Sequence, residues 1–226
     1  RDDNEDIITA RAVCDTLGLH HTVVECKAVN AEFREKYVAH SENAHDYWMQ
    51  IAETIETNGY GNKLWVKGSC NEVLRVSAGN LYNWQITPVI LCNLFKLKKA
   101  EFSLENIAKW LKSAKVFCDE NNIRILDLFY WEHRMGSWMA ESANEADIAG
   151  EMFTPFNSRR YLIQGLRAAM INRVPPHYRL LRNTIDCMKF KCPIGIKGHG
   201  TNNVTTILKR FVKYKMPVLF RIIVMR

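Results

Sequence analysis

The sequence predicts an α/β chain. Residues 1–80 read as part of a parallel-sheet unit, 81–200 as a mainly helical substructure, and 201–226 as a basic extension. Three observations predict it. The chain opens with a helical pattern followed by a short β-branched run, the alternation of an α/β layer. A compact apolar strand, Leu64-Trp65-Val66, runs directly into a small-residue loop, as strands of parallel sheets often do at their carboxyl ends. From Leu81 onward the apolar period becomes helical.

The elements follow in order. Ile7, Ala10, Cys14 and Leu17 form one stripe, so residues 5–17 are expected to be a helix that stops at Gly18. Asp2, Asp3, Glu5 and Asp6 suit its positive amino end. Residues 22–26 are expected to be a strand, and 30–57 one or two amphipathic helices. His40 and His45 are five apart and do not share a helical face, which argues against metal ligation. Gly59 and Gly61 break the chain before the strand 64–66. Ser103 caps a helix with Leu104, Ile107, Leu111, Ala114 and Cys118 on one face; Asn121-Asn122 ends it, and a second run carries Ile125, Phe129 and Trp131.

The cluster from Phe129 to Arg134 is too aromatic and too charged for an ordinary surface. Trp131 and Trp138 are expected in the core, with Arg134 either a solvated charge or the wall of an anion site. In residues 151–161 (EMFTPFNSRRY), Asn157 or Ser158 caps a helix striped by Leu162, Leu166, Ala169 and Met170. Pro175-Pro176 ends it, another helix runs to about Met188, and a last basic amphipathic helix begins near Asn203.

Composition sets the outer bounds. The 226 residues, 47% hydrophobic and 24% charged, suffice for one full core. No apolar run reaches the roughly 18 residues of a membrane span, and Arg221 interrupts the most apolar segment. The acidic opening RDDNED is the reverse of a secretory signal, so a cytoplasmic protein is expected, and the lack of an initiator Met suggests residues upstream of Arg1. The seven cysteines contain no CxxC pair and fall mostly inside apolar patterns, as free thiols in a reducing compartment do. Charge is uneven. Residues 173–226 carry 12 Lys and Arg against one acid, or +11, while the first 172 carry 19 against 23, or −4. That asymmetry calls for an anionic partner, a nucleic acid or acidic surface, or for an acidic segment packed on the basic one.

Two motifs together carry a family resemblance. Lys67-Gly68-Ser69-Cys70-Asn71-Glu72 resembles the Ser-Gly-x-Gly-(Ser/Ala)-Asp-Glu loop of the asparagine synthetase-like ATP pyrophosphatases. Downstream, Arg134-Met135 with Ser137 is similar to that family's Asp-Arg-Met-Ser-Met segment, and EMFTPFNS (151–158) to its Glu-Ala-Arg-Val-Pro-Phe-Leu-Asp. PFNSRR, then VPPHYR and CPI, resembles more closely a bacterial and phage branch of asparagine synthase-like proteins. The likeness covers roughly residues 1–195.

The resemblance implies a nucleotide-binding, HUP-like parallel sheet with helices around it, and an adenylating ligase or amidotransferase. In such enzymes a substrate carboxylate attacks the α-phosphate of ATP with Mg²⁺, pyrophosphate leaves, and an amine then displaces AMP. By position it implies Glu151, Arg134 and either Lys189 or Lys191 as catalytic residues. Lys67, Gly68, Ser69, Asn71 and Glu72 would bind the nucleotide, with Glu72 also on the metal. The chain departs from the family in four places. The Ser-Gly-Gly-x-Asp-Ser phosphate loop would have to precede Arg1; Asn71 and His133 stand where the family has Asp; and the late lysine has no clear counterpart. Two other readings therefore stay open: a catalytically inactive binding module on the same scaffold, and an RNA-modifying relative using the basic C-terminal third.

Overall fold

The computed structural model describes residues 4–41, 45–76, 78–79, 81–174 and 178–189. Expectations for 190–226, including Lys191, Cys192 and the last basic helix, lie outside the described residues. The fold is mostly helical, 64%, with one two-stranded parallel sheet. Among the described residues no helix is long and apolar enough to cross a membrane.

The first helix, α1 (Glu5–Leu17), is closed at both ends by local chemistry. The Asn4 side chain accepts from the Asp6 amide at 2.8 Å, and Gly18 adopts a left-handed φ of 66° as the C-cap. Its expected stripe does not enter a core, and Leu17 is half exposed. Residues 22–26 correct the sequence reading. They form no strand: no partner pairs with them, and Val23 and Val24 face solvent. β-branched residues favour a strand only where a neighbour completes the ladder.

Residues 30–57 form two helices, α2 (Ala31–Ser41) and α3 (Asp46–Thr57). Their shared core is Phe33, Tyr37, Met49 and Ala52, joined by Ala149. The Glu53 carboxylate, largely buried, is satisfied by the amide and side chain of Asn30, which in turn caps α2 at the Phe33 amide. The turn through Gly59 and Gly61 leads to β1 (Trp65–Val66), which pairs in parallel with β2 (Met152–Phe153), Trp65 opposite Met152 and Val66 opposite Phe153. Gly150 is needed just before β2, because a Cβ there would lie 3.0 Å from Trp65 Nε1 and 3.2 Å from the Gly61 carbonyl.

The largest core gathers α4 (Pro88–Phe95), α5 (Glu101–Glu120) and α6 (Ile125–Phe129). Ile107, Leu111, Ala114 and Cys118 of α5 are buried, as their spacing predicts, while Ala100 rather than Ser103 stands at the N-cap. Helix α6 continues into a π-helical segment, Tyr130–Met139, and then α7 (Ala140–Ala146). Ten residues of π-helix is long for a form usually met as a single turn, often at functional sites.

Ser158 caps α8 (Arg159–Arg167) by accepting from the Tyr161 amide at 3.3 Å. Leu162 and Leu166 are buried as expected, but α8 ends at Arg167, so Ala169 and Met170 fall beyond it in a short 3₁₀ turn. Helix α9 (Arg179–Cys187) closes the described chain.

Candidate functional site

A third, smaller core lies where the loop after β1 meets the π-helical segment and α8; Cys70, Val73, Tyr130 and Leu162 form it. The parallel ladder positions this loop. The Trp65 amide donates to the Glu151 carbonyl at 2.9 Å, and the Lys67 amide to the Phe153 carbonyl at 2.8 Å. Both strands therefore point the same way, and residues 67–72 and 154–158 leave the sheet at its carboxyl end.

The polar residues of the loop are held by the π-helical segment and by α8. Ser69 Oγ lies 3.6 Å from the Met139 sulfur. Asn71 Oδ1 accepts from the Tyr161 hydroxyl of α8, and Glu72 Oε2 from the Tyr130 hydroxyl of the π-helical segment. Arg75 stands 3.7 Å from the other oxygen of Glu72. Burial, with the Glu72 charge beside it, pushes Tyr161 up to about 12 and Tyr130 further in the same direction. Both phenols therefore remain protonated donors to the loop. Trp131 Nε1 adds a 3.4 Å bond to Asn157 Oδ1, tying the π-helical segment to the turn after β2.

Cys70 is buried with a left-handed φ of 70°, a region that favours glycine. Burial first and the Glu72 charge second raise its thiol to about 11, so it is a protonated, unreactive group at neutral pH. The loop continues into only a four-residue 3₁₀ turn, Asn71–Leu74, which offers no α-helix amino end for an anion.

Lys67 differs from an ordinary surface lysine. Its ammonium sits 3.5 Å from the centroid of the Trp48 ring. Burial lowers its pKa from 10.5 to about 8, while the ring face favours the charged form. A similar pairing occurs on the π-helical segment, where the Arg134 guanidinium lies 3.7 Å over Trp138. Trp131 and Trp138 are half-buried rather than core, and Arg134 is neither fully solvated nor in the loop's hydrogen-bond network.

The remaining sequence-selected residues are spread out. Gly68 is exposed with open space around it. Glu151 is exposed and sits at the amino end of β2, opposite the end where the loop emerges. Three residues at about 3.3 Å each separate it along the strand from Thr154, roughly 10 Å. Lys189 is exposed beyond α9, with a φ of 53°. The loop thus meets Tyr161 of α8, Asn157 is held by Trp131, and Glu151 precedes the amino end of β2.

Among the described residues no group of three His, Cys, Asp or Glu could hold a metal ion; Glu72 is the loop's one carboxylate, and Tyr130 already engages it. Lys67 is the loop's one cation. The described residues alone do not form a phosphate-and-magnesium site, and we derive no step through either group.

Two features escaped the sequence reading. Tyr130 and Tyr161 hold the loop from 58 and 90 residues away, a distance no local pattern reports. His45 also matters, though not as a metal ligand: its amide and Nδ1 bond the fully buried Glu145 at 2.9 and 2.7 Å, and its ring meets Trp138 edge-on. No family model matches this chain, and no curated protein or solved structure matches it either.

Proposed function

We propose that this chain is part of an adenylating carbon–nitrogen ligase of asparagine synthetase type, cytoplasmic, built on a HUP-like nucleotide-binding sheet. What supports the reading is the parallel, in-register pairing of β1 with β2, which sends the 67–72 loop and the 154–158 turn out of the same sheet edge. The sharp strand-to-loop exit at Cys70 and the lowered pKa of Lys67 also suit a site that handles charged groups at close quarters. The reading needs a phosphate loop from outside the described residues, with Glu151, Arg134 and Lys189 or Lys191 acting on a carboxylate and an amine.

A specific observation favours a second reading, a binding module without catalysis. Asn71 and Glu72 are held by Tyr161 and Tyr130, and Glu151 stands at the far end of the strand pair. Calorimetric titration with ATP and Mg²⁺, on this chain and on a form extended upstream through a Ser-Gly-Gly-x-Asp-Ser segment, separates the two. The ligase reading expects binding by the extended form, weakened by Glu72→Gln, and AMP formation lost on Glu151→Gln. Absence of ATP binding in both forms would refute it. The RNA-modifying reading instead expects affinity for single-stranded RNA that falls steeply with salt.

A further inference from the structure

A pocket that shares no residue with the 67–72 loop carries the stronger sign of a ligand. It lies between residues 81–84, the end of α5 and the start of α6, and the segment 166–173. Its volume of about 460 Å³ is within the range of small-molecule sites. Arg173 forms part of its wall and is 0% exposed. Its Nη1 bonds Asp127 at 2.7 Å, yet its Nε and Nη2 are buried with no partner among the described residues.

A buried guanidinium with two unsatisfied donors is costly. Those two donors lie on one edge of the guanidinium, side by side. This is the fork that pairs with both oxygens of a carboxylate or phosphate. The surrounding charge agrees. Asp127 is shared by Arg173 and Arg124, whose Nη1 lies 3.0 Å from its other oxygen, so this buried trio keeps a net positive charge. Arg167 adds a third guanidinium to the lining, in which Asp119 is the one acid.

The pocket also offers an aromatic shelf. Tyr82 and Trp84 are nearly parallel, 8° between planes with centroids 6.4 Å apart, and they are 60% and 74% exposed. Such exposure of two large rings beside a cationic wall has no packing rationale within the described chain.

We propose that this pocket binds a small ligand made of an oxyanion, carboxylate or phosphate monoester, on an aromatic body. The oxyanion enters the free fork of Arg173, and the body lies against Trp84. Arg173 is sealed from bulk water, so a wall side chain moves aside when the oxyanion reaches it. The site is independent of the adenylating reading and shares no residue with it.

The test is titration of the whole chain, with the Trp84 indole N–H followed by NMR, using phenyl phosphate, phenylacetate, inorganic phosphate and benzyl alcohol. Saturable binding of phenyl phosphate or phenylacetate is expected, and the tighter of the two identifies the oxyanion. Inorganic phosphate and neutral benzyl alcohol should each bind at least about tenfold more weakly, given the strength of charge-assisted pairs. Arg173→Met should weaken binding by a similar factor, Arg173→Lys should restore only part of it, and Lys67→Ala should leave it unchanged. Where Arg173 variants fail to fold, the exposed Arg167→Ala carries the same test and should weaken binding severalfold, as should Trp84→Ala followed by calorimetry, since that variant removes the reporting indole. Equal binding of benzyl alcohol, insensitivity to these variants, or no binding of either aromatic anion would overturn the proposal.

Discussion

Gly165→Ala is the sharpest test of how α8 seats the candidate loop. Gly165 lies in the last turn of α8 against the 3₁₀ turn that continues the loop. A Cβ there would meet Val73 Cγ2 at 2.7 Å, Val73 Cβ at 3.2 Å and the Val73 carbonyl at 3.3 Å. On helix propensity alone, Gly→Ala in a helix should stabilise by about 1 kcal/mol. Two effects oppose this gain. Val73 is fully buried and β-branched, so its methyl cannot swing clear, and the third contact is backbone. Overpacking of this kind costs roughly 1–3 kcal/mol. With both a rigid side chain and a carbonyl in the way, the upper part of that range applies, for a net loss of about 1–2 kcal/mol. In a domain of this size that lowers Tm by about 2–8 °C, at roughly 2–4 °C per kcal/mol. Thermal unfolding by circular dichroism measures it. The double variant with Val73→Ala supplies the control, since removing the methyl should make the second substitution far less costly than in the native background. A gain in Tm for Gly165→Ala alone would refute the packing of α8 on Val73.

Three further outcomes follow from the same geometry. Tyr130→Phe removes the donor to Glu72 and should cost about 1–3 kcal/mol in a denaturant melt, as loss of a bond to a charged acceptor does; an unchanged midpoint would deny that bond. The Lys67 amine should be acylated with a pH midpoint near 8 rather than 10.5, and because the unfolded chain holds that proton more tightly, this group's contribution to stability rises between those two pH values. His133 is packed between Phe129 and Trp110 with Nε2 unpartnered, and burial lowers its pKa. The unfolded chain therefore takes up its proton first. Stability should fall as pH drops below about 6.5, more steeply in the native chain than in His133→Phe, measured by Tm at pH 7.5 and 5.5.

Local chemistry was legible in the sequence and distant partnership was not. Gly18, the α5 stripe ending at Cys118, and the Ser158 cap each depend on neighbours within a turn, and each stands where its pattern predicts. Residues 22–26 have the composition of a strand but no partner, and pairing cannot be read from one run alone. The sequence reading places a strand at 64–66 but none at 152–153, so the pairing of β1 with β2 was not foreseen. The motif order says nothing of which end of the strand each side chain occupies, which is why Glu151 and Glu72 look like companions in sequence yet lie at opposite ends of the pair. Arg173 carried no sequence signal; its burial beside Asp127 distinguishes it from the other described basic residues near the C-terminus, Arg179, Arg182 and Lys189.

The direction of β1 against β2 underlies the whole account, and a cysteine cross-link reads it directly. Val66 and Phe153 are exposed and directly opposed in the parallel register. In a background with the other accessible cysteines replaced by Ser, Val66→Cys with Phe153→Cys should form a disulfide readily under mild oxidation. Val66→Cys with Glu151→Cys, the pair that an antiparallel arrangement centred on Trp65 and Met152 would bring together, should not. Preferential closure of the second pair would show that the 67–72 loop and the 154–158 turn leave the sheet at opposite ends, and would contradict both the site and the function proposed from it.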